Sequence, residues 1–148
     1  TVKEILLFHT IIQTVDLRTI YIPNGQMSTT VVINQSRSEI RRAQWVVSIE
    51  YGNNVTHAKE VIQKCLDAEP RLLREPISEE GEPLDPFFIE VTNLNASSVD
   101  LTVRAYVKRV DFLDVRFKMN EAIYAAIDAD PTLNIPFPTN TIHIVNKK

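Results

Sequence analysis

Apolar and polar side chains alternate strictly from Val99 to Lys108. Val99, Leu101, Val103, Ala105 and Val107 point one way, while Asp100, Thr102, Arg104, Tyr106 and Lys108 point the other. A period of two over this length predicts a strand with one face covered and the other solvated. Directly afterwards the period changes. Between Asp111 and Asp128, the residues Phe112, Val115, Met119, Ala122, Ile123 and Ala126 line one stripe of an amphipathic helix, which Ala129-Asp130-Pro131 ends. Strand and cover are adjacent in sequence, and two such layers bury one apolar sheet face.

The stretch upstream repeats the two periods. Trp45–Tyr51 predicts a strand. Asn54 is placed to cap a helix whose Val55, Ala58, Val61, Ile62, Cys65 and Leu66 share one face, and Pro70 closes it. Numbers 70–86 hold four prolines and an acidic centre at Glu79, Glu80 and Glu82, which reads as a solvent-facing loop. Phe87–Val91 is a further strand, and Asn93–Ser98 turns into the strand described first. Strand, helix, strand, strand, helix is most of a split βαβ unit.

The first forty residues have another texture. Val2–Thr14 predicts a long strand or a bent one, with Phe8 and Ile11-Ile12 near the bend, and Asp16–Arg18 is a polar corner. Thr19–Ile22 is a second strand, halted by a structural turn at Pro23, Asn24 and Gly25, where Gly25 is expected at positive φ. Val31–Asn34 is a third short strand before the polar run Gln35–Glu39. Short strands, tight corners and no helix suit a small barrel or a curled sheet with two open edges. At the far end, Pro136-Phe137-Pro138 leads into a final strand, Thr141–Val145, with Ile142 and Ile144 inward.

Composition narrows the class. The chain has 148 residues, room for one ordinary domain or two small ones, and 44% hydrophobic with 24% charged residues is globular. A net charge of -3 discourages nucleic-acid binding, and Tyr106 has no second ring beside it to make a base-stacking platform. No run approaches the roughly 20 apolar residues of a membrane helix. The chain begins at Thr1 within a strand pattern and without Met, so we expect a fragment of something longer. The single cysteine, Cys65, excludes an internal disulfide and reads as a small core residue.

Candidate chemistry is sparse. His9, His57 and His143 lack paired-ligand spacing. Ser36 and Ser38 sit in a polar turn without a nucleophile motif. Glu79, Glu80, Glu82 and Asp85 lack the spacing of a calcium loop. Gly25, Gly52 and Gly81 are the only glycines, so there is no phosphate-cradling loop. The Asn-x-Ser/Thr triplets at Asn34, Asn54 and Asn95 read as chance without an extracellular context. No catalytic residue, cofactor or metal ligand is expected, and the chain is not read as an enzyme.

Several separated stretches resemble one family. Ile22–Gly25 reads IPNG and Ile33–Arg37 reads INQSR; Arg41-Arg42 then leads to a strand and a Tyr51-Gly52 corner. Ser97–Val107, SSVDLTVRAYV, and Ile135–Ile144, IPFPTNTIHI, complete the set. In that order they resemble the cytoplasmic part of the bacterial small-conductance mechanosensitive channels. The resemblance implies an α+β chain in three parts. Numbers 1–40 would be the later strands of a partial Sm-like small β-barrel domain, with Asn34, Arg37, Arg41 and Arg42 at the domain junction. Numbers 41–138 would be a ferredoxin-like two-layer α/β domain. Numbers 139–148 would supply a strand, carrying Ile142 and Ile144, to an intersubunit β-barrel.

It also implies a homo-oligomer, a heptamer in the full-length protein, in the inner membrane with this part on the cytoplasmic side. Missing N-terminal helices would contact the lipid bilayer. The vestibule would filter permeating ions and support gating during osmotic downshock. The chain departs from the family in a longer, more acidic loop at Pro76–Pro86 and in Asp130–Asn134 before the Pro-x-Pro motif. The alternative from the residues alone is a soluble ferredoxin-like regulatory or small-ligand-binding module that oligomerises through sheet edges.

Overall fold

The computed structural model describes numbers 1–34 and 37–138. They form two compact units, Thr1–Arg37 and the chain from Ser38 onward.

The first unit is an antiparallel meander of β1 (Val2–Ile5), β2 (His9–Gln13) and β3 (Thr19–Pro23), in the order β1-β2-β3. The expected single strand over Val2–Thr14 is therefore a hairpin. Its tip closes through the Leu6 amide donating to the His9 carbonyl at 2.8 Å. An apolar tip without Gly or Pro gives no turn signal, because the signal comes from turn residues. A second correction concerns the expected turn. Pro23 sits at the N-cap position, with φ -57 and ψ 134, of a short helix α1, Asn24–Thr29. Gly25 lies in that helix; positive φ among the described glycines belongs to Gly52 and Gly81, at 94° and 87°. Proline fixes its own φ at a value compatible with entering a helix, so a chain leaving β3 can coil instead of reversing. Val31–Asn34 joins no strand, and neither sheet closes into a barrel among the described residues.

The second unit holds β4 (Ile40–Ile49), α2 (Val55–Ala68), β5 (Phe87–Leu94), β6 (Val99–Lys108), a 3-10 turn (Arg109–Asp111) and α3 (Phe112–Asp128). The sheet order is β4-β6-β5, antiparallel throughout. β4 and β5 thus run the same way with β6 inserted between them, the split βαβ arrangement. β4 starts five residues before the expected Trp45, because β6 offers ten positions to pair with. The register runs from Ile40 opposite Lys108 to Ile49 opposite Val99.

Periodicity decides what is buried. Ala43, Trp45, Val47 and Ile49 of β4 and the odd-numbered side chains of β6 face the helices. Ala58, Ile62 and Leu66 of α2 meet them, as do Phe112, Val115, Met119, Ile123 and Ile127 of α3. The α3 stripe thus ends on Ile127; Ala122 is exposed and Ala126 half-buried. Trp45 buries its ring and satisfies its indole by donating to the Arg116 carbonyl at 2.9 Å. Asn54 caps α2, its side chain accepting from the His57 amide at 3.2 Å. Numbers 76–84 are a hydrogen-bonded turn: Ser78 N–H donates to Glu82, Leu84 N–H to Pro76, and Ile77 bridges Pro83. Glu79, Glu80, Glu82 and Asp85 point into solvent there.

Candidate assembly surfaces

Open edges and the residues that shape them are the features with a use beyond folding. In the first unit the organising side chain is Asn24. Its amide nitrogen donates to the Leu6 and Leu7 carbonyls at 2.8 and 3.1 Å, and its oxygen accepts from the Thr10 hydroxyl at 2.8 Å. The backbone agrees, since Asn24 N–H donates to the Phe8 carbonyl at 2.9 Å. One side chain thereby ties the start of α1 to the β1–β2 tip, and the tip presents Leu7 and Phe8, 83% and 72% exposed. At the other tip, Asp16 is held by Thr14 and Arg18 at 2.5 Å each, so Val15 and Leu17 project outward. Those bonds hold the exposed Asp16 carboxyl below its usual range, the Thr14 hydroxyl most of all.

The second unit leaves the outer edges of β4 and β5 unpaired among the described residues. Unpaired strand edges are templates for another chain. The solvent face of the sheet carries Arg42, Gln44, Arg104, Tyr106 and Lys108. Phe88 adds a ring there that sequence reading missed, but the Arg104 guanidinium stacks over it, 4.7 Å from the centroid.

Two ionic clusters position the helices. Glu69, which follows α2, has a buried side chain that accepts from the Arg71 guanidinium at 2.7 Å and lies 3.5 Å from Lys118 of α3. Arg71 also pairs with Asp114 of α3. Hydrogen bonding by Arg71 holds the Glu69 carboxyl down to about 2. His57, on the first turn of α2, meets Asp130 at 2.7 Å. Thr132 donates to Asp130 through both hydroxyl and amide, and with His57 this holds the Asp130 carboxyl down to about 2. Both clusters tie α2 or the segment after it to α3 or the segment after that. Among the described residues no three or more His, Cys, Asp or Glu converge as a metal site would require.

The residues singled out in the sequence are dispersed. Pro23 ends β3, while Asn24 and Gly25 begin α1. Asn34 and Arg37 fall in the first unit, Arg41 and Arg42 in the second. Arg41 stacks on Phe112 at 3.6 Å and Arg42 is exposed. Ile142, Ile144 and His143 lie outside the described residues. Cys65 is half-buried beside α3, and burial pushes its thiol up. Sequence reading did not single out Glu69, and it took Asp130 only as part of the stop after α3. A spacing signal existed for Leu113, Phe117 and Tyr124, a second apolar strip on α3.

Comparison with known proteins adds the remaining information. The model of the mechanosensitive ion channel beta-domain matches residues 1–37. A small-conductance mechanosensitive channel of Edwardsiella ictaluri is 29% identical over 97% of this chain and 47% of its own length. One of Helicobacter pylori is 27% identical over 99% and 50%. The chain therefore spans about half the length of the curated relatives it matches. The crystal structure of Helicobacter pylori MscS in the closed state superposes with a TM-score of 0.84 at 28% identity, covering 99% of this chain and 54% of that one. Arabidopsis thaliana MSL1 shares the fold, with a TM-score of 0.61 at 16% identity over 86% of this chain and 44% of that one. No helix among the described residues is long and apolar enough to cross a membrane. In sequence and in structure, this chain matches the small-conductance mechanosensitive channel family.

Proposed function

We propose that this chain is the cytoplasmic part of a tension-gated channel subunit whose parent protein lies in the inner membrane. The observation that carries the reading is the superposition on Helicobacter pylori MscS over 99% of this chain. In this reading, numbers 1–40 are the later strands of an Sm-like domain, completed by strands outside this chain; the open meander of β1, β2 and β3 is compatible with that. Numbers 41–138 form a ferredoxin-like domain that walls a vestibule. Numbers 139–148 supply Ile142 and Ile144 to a barrel shared by seven subunits, in which no strand edge is left open. Asn34, Arg37, Arg41 and Arg42 bracket the junction between the two units. The chain makes no covalent chemistry; it assembles, admits ions and transmits the state of the pore.

A direct test expresses the whole reading frame in a bacterial strain stripped of its own mechanosensitive channels. Survival of osmotic downshock, with tension-activated currents in patch recording, is the expected result. Normal expression in the membrane without current would sink the reading. The two open edges of β4 and β5 would equally serve a soluble edge-pairing module, and absence of the protein from the membrane fraction would favour that alternative.

A further inference from the structure

Asn24 and Gly25 are the one Asn-Gly pair in the chain. That dipeptide carries its own chemistry, because glycine has no Cβ to shield its backbone nitrogen. The Gly25 nitrogen, giving up its proton to water, can attack the carbonyl carbon of the Asn24 side chain. A C–N bond forms, the bond to the side-chain nitrogen breaks, and ammonia leaves. Water then opens the five-membered succinimide at either carbonyl, which gives aspartate or isoaspartate. The balance is one water consumed, one ammonia released and one carboxyl gained.

The fold withholds two requirements of that step. The attack needs the carboxamide free to swing over the next peptide group, but Asn24 is fastened at three points. Its nitrogen donates to the Leu6 and Leu7 carbonyls at 2.8 and 3.1 Å, and its oxygen accepts from the Thr10 hydroxyl at 2.8 Å. The near-planar ring also needs the Asn24 Cβ to eclipse the Gly25 nitrogen. Asn24 opens α1, and α-helical backbone does not bring those atoms together. Space is available once α1 lets go: Gly25 is exposed, and a Cβ there would meet nothing within 4 Å.

We propose that Asn24 is a deamidation site guarded by the β1–β2 tip, intact while the tip holds it and converted when the first unit opens locally. The product cannot rebuild what was lost. A carboxylate accepts from Thr10 but has no hydrogen to donate to the Leu6 and Leu7 carbonyls. Isoaspartate goes further, adding a methylene to the backbone where β3 passes into α1. An opening that ends in conversion is therefore one-way, and the modified unit is held to its tip less firmly than before.

The test incubates the product of the whole reading frame at mildly alkaline pH, both native and denatured in urea. Trypsin releases Thr19–Arg37, and fragment-ion mass spectrometry reads conversion at Asn24 against Asn34, which Gln35 follows. Conversion at Asn24 should be at least about tenfold slower in the native protein than in urea, a ratio that one or two hydrogen bonds sustain. Equal rates would overturn the guard. A urea rate no faster than that of Asn34 would overturn the site itself. Thr10→Val should speed native conversion by up to about tenfold and leave the urea rate unchanged. A native rate equal to that of the parent would overturn the part given to Thr10. Gly25→Ala needs no folded state as a control, since it should slow conversion in urea; an unchanged rate there would overturn the Gly25 nitrogen as the attacking group. Finally, amide exchange at β2 should be faster in the converted protein, and equal exchange would overturn the loosening.

Discussion

The Thr10 hydroxyl donates to the Asn24 side-chain oxygen at 2.8 Å across fourteen residues of sequence, and Thr10 is only 6% exposed. This bond, with the two that the Asn24 amide donates to the β1–β2 tip, fastens the first unit. Asn24→Ala should cost about 1–3 kcal/mol by leaving Thr10 and two carbonyls to find new partners. Asn24→Asp should cost a similar amount, because a carboxylate accepts from Thr10 but cannot donate to Leu6 and Leu7. Amide exchange at β2, followed in urea, would show it; unchanged protection in Asn24→Ala would refute the role.

Gly25 and Gly52 should respond oppositely to alanine. Gly25 is helical and a Cβ there would meet nothing within 4 Å, so Gly25→Ala should stabilise by about 0.5–1 kcal/mol. Gly52 has φ of 94°, so Gly52→Ala should destabilise by about 1 kcal/mol or more. Thermal melts compared with the parent chain test both signs.

Leu17 is the one non-glycine residue at positive φ among those described, at 65°, and its side chain is 74% exposed. A leucine there gains little from burial while holding a backbone that glycine or asparagine adopts more readily. Leu17→Gly or Leu17→Asn should therefore stabilise the isolated chain by about 1 kcal/mol. A loss of stability would show that the exposed leucine makes a contact that offsets the strain.

Glu69 links stability to acid. Its folded carboxyl is depressed to about 2, below the usual 4.5. The stability it contributes is present above about pH 4.5 and is lost as pH falls towards 2. Glu69→Gln should flatten the stability–pH curve in that window, and it should cost stability at neutral pH by breaking a buried pair with Arg71. Fluorescence of Trp45, the single tryptophan, reports this unit during urea titration at each pH.

The amino-acid sequence by itself determined the elements whose information is local. Alternation along Val99–Lys108 and the helical stripes of α2 and α3 record which side of each element is covered, so the split βαβ order was legible before any coordinates. The resemblance carried by short motifs was legible in the same way. Tertiary structure decided the rest. β4 begins at Ile40 because its partner β6 is ten residues long, a fact of pairing that no period within Ile40–Gln44 announces. The hairpin tip at Leu6–Phe8 is apolar, so its reversal was hidden until β2 supplied the ladder. Pro23-Asn24-Gly25 carries the residues of a turn, yet it starts a helix because Asn24 spends its side chain on Leu6, Leu7 and Thr10. Glu69 carries no mark in the sequence that singles it out. Only packing brings Arg71 and Lys118 to it, since charges in contact through space leave no spacing rule in the chain.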